Sequence, residues 1–214
     1  MYLPTNPKAV LIDLAGVLHT GDDALPGAVA ALAKLRGSGL ALRFLTNTTR
    51  SPGSVLHTKL CRMGFSLAPE EIQTAALAAR TLVHERGLRP HWMVHPDIAE
   101  EMGASDPDPD VVVLGDMGEH FTYAGLNHAF RLLMQGVPLL AMARNRYFME
   151  ADGMSMDMGA FVAGLEYSAG VAAEIVGKLA PAFFAAAHRQ VPRWGRRKPR
   201  YPAGIGRRRF CRRR

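Results

Sequence analysis

The fold depends on one stretch near the start of the chain, Lys8-Ala9-Val10-Leu11-Ile12-Asp13-Leu14-Ala15-Gly16-Val17-Leu18. Its apolar part has the length and the residue types of a buried parallel strand, and it stops at a carboxylate before a glycine turn. Asp13 would then lie at the carboxyl end of a central strand, where open α/β sheets have their ligand crevice. A lone aspartate there is more often a turn cap, so residues elsewhere must decide between the two interpretations.

The composition is that of an ordinary soluble globular protein. The chain has 214 residues, of which 48% are hydrophobic and 21% are charged, enough for one large or two small domains with a core. Cys61 and Cys211 form neither a disulfide framework nor a metal-ligand spacing, which favours the cytoplasm. The chain shows no signal-peptide pattern and no apolar run of bilayer length, so we expect no membrane association.

The net charge of +7 is unevenly distributed. Residues 1–188 contain all 19 acidic residues and 14 of the 26 lysines and arginines, a net charge of −5. Residues 189–214 contain the other 12 basic residues and no acidic one. A mildly acidic body therefore continues into a strongly basic tail.

The first part of the chain predicts a β-α-β unit. Residues 27–35 have helical spacing, and Leu40 to Leu45 reads as a second strand that ends in Thr46-Asn47-Thr48-Thr49. The right-handed crossover rule places Thr46 on the same edge of the sheet as Asp13.

The remaining body predicts a second α/β series. We expect helices over 51–63, 69–83, 121–134 and 159–168, and strands at 92–94, 111–114, 139–142 and 173–176. The methionine-rich segment 149–158 is interpreted as filler of a core or loop rather than as a metal site.

Polar residues follow three of the predicted strands, namely Asp13, Thr46-Asn47 and Lys178. Lys178 by itself is more simply a solvated surface lysine. Together the three could hold an anion between a hydroxyl, backbone N–H groups and an ammonium, with Asp13 as nucleophile or metal ligand. The long insert between Thr46 and Lys178 would form a cap over the crevice.

On these residues the chain resembles the haloacid dehalogenase superfamily, subclass IIA. The likeness is specific in the Asp13 loop, Thr46-Asn47, Ser105-Asp106-Pro107, residues 161–167 and Val176-Gly177-Lys178. It implies an α/β fold with a Rossmann-like core, formed by 1–73 and 170–190 and truncated at its C-terminal strands. It also implies an α/β cap of the C2 type at 74–169, and it leaves 191–214 as a disordered basic tail.

The resemblance implies a Mg²⁺-dependent phosphatase that acts through an aspartyl-phosphate on a phosphate monoester, a pyrophosphate or a phosphoramidate. Asp13 would attack phosphorus, Thr46 would hold a phosphoryl oxygen, and Lys178 would neutralise the developing charge. The substrate would be a small phosphorylated molecule. The cap would close over it, with residues 157–161 at its rim, and would pair two copies of the chain into a homodimer.

The family pattern also gives roles to the flanking positions. Gly16, Asn47 and Thr48 would contact the substrate, and Mg²⁺ would be held by Asp13, by the backbone carbonyl of Ala15 and by an acid from a fourth motif. Ala15 itself is a departure, because most members have there a second aspartate that protonates the leaving group. Without that aspartate, the rate of hydrolysis falls by a factor of roughly 10²–10⁴ for substrates with poor leaving groups.

The second departure is the fourth motif. The family pattern has an acidic Gly-Asp-Asp about 25 residues beyond the lysine, where this chain has only Arg, Pro and Gly among scattered apolar residues. We expect the Asp13 strand to become an exposed edge, Mg²⁺ to bind weakly and turnover to be impaired. A frameshifted or truncated gene product, and hence an inactive fragment, explains such a tail. The alternative is a functional extension that binds nucleic acid or another polyanion, with Trp194, Tyr201 and Phe210 between the basic residues.

Overall fold

The computed structural model describes residue 7 and residues 9–150, 153–178, 180–181, 183–184 and 187. This part of the chain separates into two compact units. Unit 1 contains the described residues up to Thr46, the segment Gly53–Gln73 and Ala187. Unit 2 contains Asn47–Pro52 and the described residues from Thr74 to Phe184. The predicted motif IV region and basic tail lie outside the described residues.

Unit 1 is built on a three-stranded sheet with two helices. Its elements are β1 (Ala9–Asp13), β2 (His19–Thr20), β3 (Asp23–Ala24), α1 (Ala28–Gly37), β4 (Ala41–Thr46), α2 (Gly53–Arg62) and β5 (Ile72–Thr74), whose last residue begins unit 2. The strand order is β1-β4-β5, and β1 runs parallel to β4. The predicted β-α-β unit is confirmed.

The central strand β4 is buried along nearly its whole length, from Leu42 to Thr46. Phe44 is fully buried, and it belongs to one hydrophobic core with Leu14 and with Leu60 of α2. Such burial on both faces is typical of a parallel strand covered by helices. The core therefore holds the carboxyl end of β4 in a fixed position.

Strand β1 lies at the edge of this sheet. Among the described residues it pairs with β4 alone, and Leu11 is 40% exposed. The sequence predicts such an exposed edge for a core without its next strand, and that truncation stays a prediction. An apolar edge strand has unpaired N–H and C=O groups that can pair with another chain.

The predicted helix over 69–83 is wrong in its first part. Pro69–Glu71 forms a single 3₁₀ turn, Ile72–Thr74 is strand β5, and the helix begins only at Ala75. The reason is local, because the Thr74 side chain accepts a hydrogen bond from the Leu77 N–H at 3.0 Å and so caps a new helix.

Unit 2 contains a four-stranded parallel sheet flanked by helices. Its elements are α3 (Ala75–Glu85), β6 (Pro90–Met93), α4 (Pro96–Met102), β7 (Val111–Leu114), α5 (Tyr123–Met134), β8 (Leu139–Ala141), β9 (Tyr147–Glu150), β10 (Gly153–Met156), α6 (Gly159–Ala169) and β11 (Glu174–Ile175). The strand order is β11-β8-β7-β6, and all three pairings are parallel. The four residues of β7 are buried, as their apolar run predicts. The α/β fold class is confirmed.

The methionine-rich segment forms a hairpin of β9 and β10 rather than core filler. Met149 pairs with Met154, and Tyr147 pairs with Met156. Directly opposed residues and residues two apart share a face, so these four side chains lie on one face of the hairpin. They are 57–73% exposed, and of the segment's methionines only Met158 is buried. Strand alternation, rather than helical or loop packing, places them outward.

The structure assigns residues 170–184 differently from the predicted core segment 170–190. Strand β11 pairs with β8, so the described residues from 170 to 184 belong to unit 2. Unit 2 also includes Asn47–Pro52, which no sequence signal separates from the preceding strand. No helix in the described part of the chain is both long and apolar enough to cross a membrane.

Candidate active site

Asp13 is the last residue of β1, and its carboxylate is exposed at the carboxyl end of the sheet. Its Oδ1 accepts the backbone N–H of Leu14 at 2.7 Å. Leu14 is buried in the core of unit 1, so this bond joins the carboxylate to a fixed part of the chain. The carboxylate is therefore oriented, and Asp13 is exposed.

The loop after Asp13 is closed by its own backbone. The Gly16 N–H donates to the His19 carbonyl at 2.8 Å, and the Leu18 N–H donates to the Leu14 carbonyl at 2.8 Å. Gly16 has a φ of 78°, a left-handed conformation that glycine adopts without strain. The β2–β3 hairpin continues directly from this loop, and Ala15 forms a β-bridge with His19. The loop that follows Asp13 is therefore held by backbone hydrogen bonds.

Thr46 ends the neighbouring strand at the same sheet edge. Asp13 is paired in register with Leu45, so Thr46 lies one residue further along β4. The side chain of Thr46 is buried, in contrast to that of Asp13. The structure thus places a carboxylate and a hydroxyl residue at adjacent parallel strand ends, as the sequence predicts.

Asp13 and the Ala15 carbonyl supply hard oxygen donors of the kind that Mg²⁺ prefers. The described residues contain no group of three or more His, Cys, Asp or Glu side chains that could hold a metal ion. Mg²⁺ often binds through one or two carboxylates together with water and substrate phosphate. The donors fit such an ion in kind.

In unit 2, the side chain of Asn47 is hydrogen-bonded to the backbone of Lys178. The Asn47 Oδ1 atom accepts the N–H of Lys178 at 2.8 Å. Gly177 makes this approach possible, because a Cβ there would lie 2.0 Å from the Met142 carbonyl oxygen and 3.2 Å from Asn47 Oδ1. Lys178 itself is half-buried. The predicted pair of motifs, Thr46-Asn47 and Gly177-Lys178, is therefore connected at Asn47, with Thr48 next along the same segment.

Arg50, two residues after Thr48, forms an ion pair with Asp116 that the sequence did not reveal. Arg50 donates from Nε to Asp116 Oδ2 at 2.6 Å and from Nη2 to Asp116 Oδ1 at 3.1 Å. Asp116 also accepts the Gly118 N–H at 2.9 Å, and the Arg50 guanidinium lies 5.1 Å from the centre of the Phe148 ring. A carboxylate two residues after the predicted strand 111–114 was the available signal, similar to the one that identified Asp13.

The pair forms one wall of a cavity of about 340 Å³ that lies entirely within unit 2. Phe161, from the predicted rim 157–161, is stacked on Phe121 at 3.6 Å between ring centres. His95 packs edge-on against His120 at 5.2 Å. The cavity is lined by Arg50, His95, Asp116, Gly118, Glu119, Met156 and Phe161.

Comparison with known proteins agrees with the predicted family. Residues 10–107 match the family model described as haloacid dehalogenase-like hydrolase. The phospholysine phosphohistidine inorganic pyrophosphate phosphatase of Xenopus laevis is 41% identical over 188 residues, covering 84% of this chain and 70% of that protein. The haloacid dehalogenase-like hydrolase domain-containing protein 2 of Homo sapiens is 42% identical over 178 residues, covering 83% and 69%.

Solved structures give the same result for the fold. A 4-nitrophenylphosphatase from Thermotoga maritima superposes with a TM-score of 0.78 at 22% identity, covering 86% of this chain and 73% of that one. A glycerol phosphate phosphatase from Mycobacterium tuberculosis, crystallised with calcium, has a TM-score of 0.76 at 25% identity, covering 86% and 56%. Both neighbours are phosphatases, and the second was studied with a divalent metal.

Proposed function

Because the chain belongs to the haloacid dehalogenase-like hydrolases, a family with phosphatase members, we propose that it hydrolyses a small phosphorylated substrate through an aspartyl-phosphate on Asp13. The observation that carries the proposal is the parallel pairing of β1 with β4, which brings Asp13 and Thr46 to adjacent strand ends. The exposed Asp13 carboxylate, oriented by the Leu14 N–H, has the access that a nucleophile needs.

The chemical steps follow from the residue types. An Asp13 oxygen attacks phosphorus, the bond to the leaving group breaks, and water then hydrolyses the acyl phosphate to regenerate the carboxylate. The Thr46 hydroxyl donates to a phosphoryl oxygen, and the Lys178 ammonium offsets the negative charge that develops in the transition state. Gly16, Asn47 and Thr48 are the proposed substrate contacts in the segments that flank these residues. Mg²⁺, held by Asp13 and the Ala15 carbonyl, would supply positive charge against the phosphate oxygens when it is bound.

Substitution of the nucleophile tests this proposal. We expect D13N to abolish hydrolysis of 4-nitrophenyl phosphate in the presence of Mg²⁺, because an amide is a far weaker nucleophile than a carboxylate. D23N is the matched control, since Asp23 is an exposed aspartate of the same unit in the β2–β3 hairpin. Equal rates for D13N and the unsubstituted chain would end the catalytic assignment.

Ala15 narrows the substrate class. Without a carboxylic acid at this position, no proton is delivered to a poor leaving group. The rate of hydrolysis therefore falls less for pyrophosphate or phosphoramidates than for alkyl phosphates. We propose that A15D raises the rate on an alkyl phosphate by more than the rate on pyrophosphate. A rate gain of the same size on both substrates would refute this preference.

We propose that turnover is impaired, because the acidic fourth motif has no counterpart in the sequence around 200–209. The basic tail favours a second candidate function, the binding of nucleic acid or another polyanion. Fluorescence anisotropy with a labelled DNA oligonucleotide at low and high salt distinguishes a functional extension from non-specific attraction. Binding that high salt abolishes is the non-specific attraction expected of any such tail, whereas salt-resistant binding favours a functional extension.

A homodimer through unit 2 is the proposed assembly. Its support is the exposed apolar face of the β9–β10 hairpin, formed by Tyr147, Met149, Met154 and Met156. Contiguous exposed apolar residues of this kind mark association surfaces. We expect M149K with M154E to convert a dimer into a monomer in light scattering after size exclusion. The cytoplasm is the proposed location, on the cysteine content alone.

A further inference from the structure

The segment Asn47–Pro52 belongs to unit 2 although it directly follows β4 of unit 1. It contains neither helix nor strand, so no regular backbone ladder fixes its conformation. Side-chain contacts must therefore contribute to its position. Asn47 and Arg50 make such contacts at the two ends of a four-residue stretch.

Arg50 is held from three sides. Its two hydrogen bonds to Asp116 form a bidentate pair, and the Phe148 ring covers the guanidinium at 5.1 Å. On another side, a Cβ at Gly118 would lie 3.3 Å from the Arg50 Cζ atom. A bidentate arginine pair fixes orientation as well as distance, which a single ammonium contact does not.

Asp116 provides a rigid support for this arginine. It follows the fully buried strand β7, its side chain is 9% exposed, and the Gly118 N–H fixes Oδ1 from the other side. A buried carboxylate that lost its cation would be left uncompensated, so the pair resists opening. The Arg50 side chain is therefore joined to the centre of the unit 2 sheet.

We propose that Asp116 is a positioning residue, which acts through Arg50 to fix the segment Asn47–Pro52 and with it the Asn47 carboxamide that accepts the Lys178 N–H. The inference rests on the proposed function, in which Asn47, Thr48 and Lys178 handle the phosphate. Asp116 acts on these three groups through Arg50. Misplacement of such groups by 1 Å costs roughly 10²-fold in rate.

The test is amide hydrogen exchange in the full chain, measured by ¹⁵N-edited NMR over both the slow and the fast range. The readout is the protection of the Lys178 amide divided by that of Val112, whose N–H donates to the Pro138 carbonyl at 3.0 Å in the same unit. We expect D116N to lower this ratio tenfold or more, because the loosened segment no longer holds the Asn47 acceptor in place. Global destabilisation would lower the protection of both amides, or that of Val112 alone, and so would not lower the ratio.

D110N is the matched control. Asp110 precedes β7 as Asp116 follows it, pairs with Arg89 at 3.2 Å, and also accepts a backbone N–H, at 2.7 Å. If D116N does not fold, R50K replaces it, since lysine keeps the charge and loses the bidentate geometry. A ratio that falls more than threefold in D116N or R50K and not in D110N supports the proposal. Any smaller change, or an equal fall in D110N, overturns it.

A second measurement connects the positioning role to phosphate chemistry. Calorimetric titration with inorganic phosphate should show weaker binding to D116N than to D110N. Because exchange and phosphate binding require no turnover, they are independent of the D13N activity test. Loss of the exchange effect would remove the positioning role and leave Asp13 as nucleophile, whereas an active D13N would remove the nucleophile and leave the coupling within unit 2 intact.

Discussion

Gly177→Ala is the substitution with the sharpest consequence for the connection between Asn47 and Lys178. An added Cβ would lie 2.0 Å from the Met142 carbonyl oxygen, and real Cβ contacts essentially never fall below 3.0 Å. The backbone at residue 177 must therefore move by about 1 Å, and the obstacle is a main-chain carbonyl that cannot rotate away. Overpacking of this kind costs typically 1–3 kcal/mol, and we expect about 3 kcal/mol here. The same shift would move the Lys178 N–H from its acceptor.

Urea denaturation followed by circular dichroism measures the loss. With a slope of roughly 2 kcal/mol per molar urea, a cost of about 3 kcal/mol lowers the midpoint by about 1.5 M. Gly164→Ala is the control, because Gly164 lies in α6 of the same unit with open space around its Cα. There alanine should stabilise the helix by about 0.5–1 kcal/mol. A Gly177→Ala midpoint equal to that of the unsubstituted chain would refute the steric reasoning.

Three further predictions concern stability, pH and association. Burial lowers the pKa of His91, and the charge of His128 acts in the same direction. The unfolded chain therefore takes up the proton first, so the free energy of unfolding falls as the pH drops below about 6.5, and H91N should flatten this dependence. E71A should lower the free energy of unfolding in urea by about 2 kcal/mol, because it removes the carboxylate that Arg36 binds through two hydrogen bonds, at 2.5 and 2.9 Å. L11K should reduce aggregation in light scattering, because lysine blocks pairing at an exposed edge strand.

Each of these predictions has its own contrary outcome. A pH profile between about pH 7.5 and 5.5 that is identical with and without His91 would assign the acid sensitivity to other groups. An E71A midpoint equal to that of the unsubstituted chain would show that the Arg36–Glu71 pair contributes nothing to stability. Equal aggregation of L11K and the unsubstituted chain would show that association does not use β1.

The parts of the fold that sequence predicts are those where local pattern and burial agree. Strand β7 is four consecutive apolar residues, and all four are buried. The β1-α1-β4 unit follows from apolar runs punctuated by glycine, together with a chirality rule that has few exceptions. In these segments the hydrophobic pattern and the final packing contain the same information.

The missed parts depend on contacts between distant residues. Strand β5 is three residues long, too short for its alternation to be told from a helical start, and only Thr74 as a cap separates it from α3. The Arg50–Asp116 pair joins positions 66 residues apart, a distance at which no spacing rule operates. A candidate site assembled from such pairs can be proposed from strand ends, but its connections require the fold.

The assignment of Asn47–Pro52 to unit 2 has a consequence for building chimaeras. Thr74 would look like the natural junction for exchanging the second unit between relatives as one continuous cassette. Such a graft would import Asp116 and leave the recipient's residue 50 behind, so the guanidinium and its carboxylate would come from different parents. A working exchange therefore needs two pieces of chain, the long one and the six residues between β4 and α2.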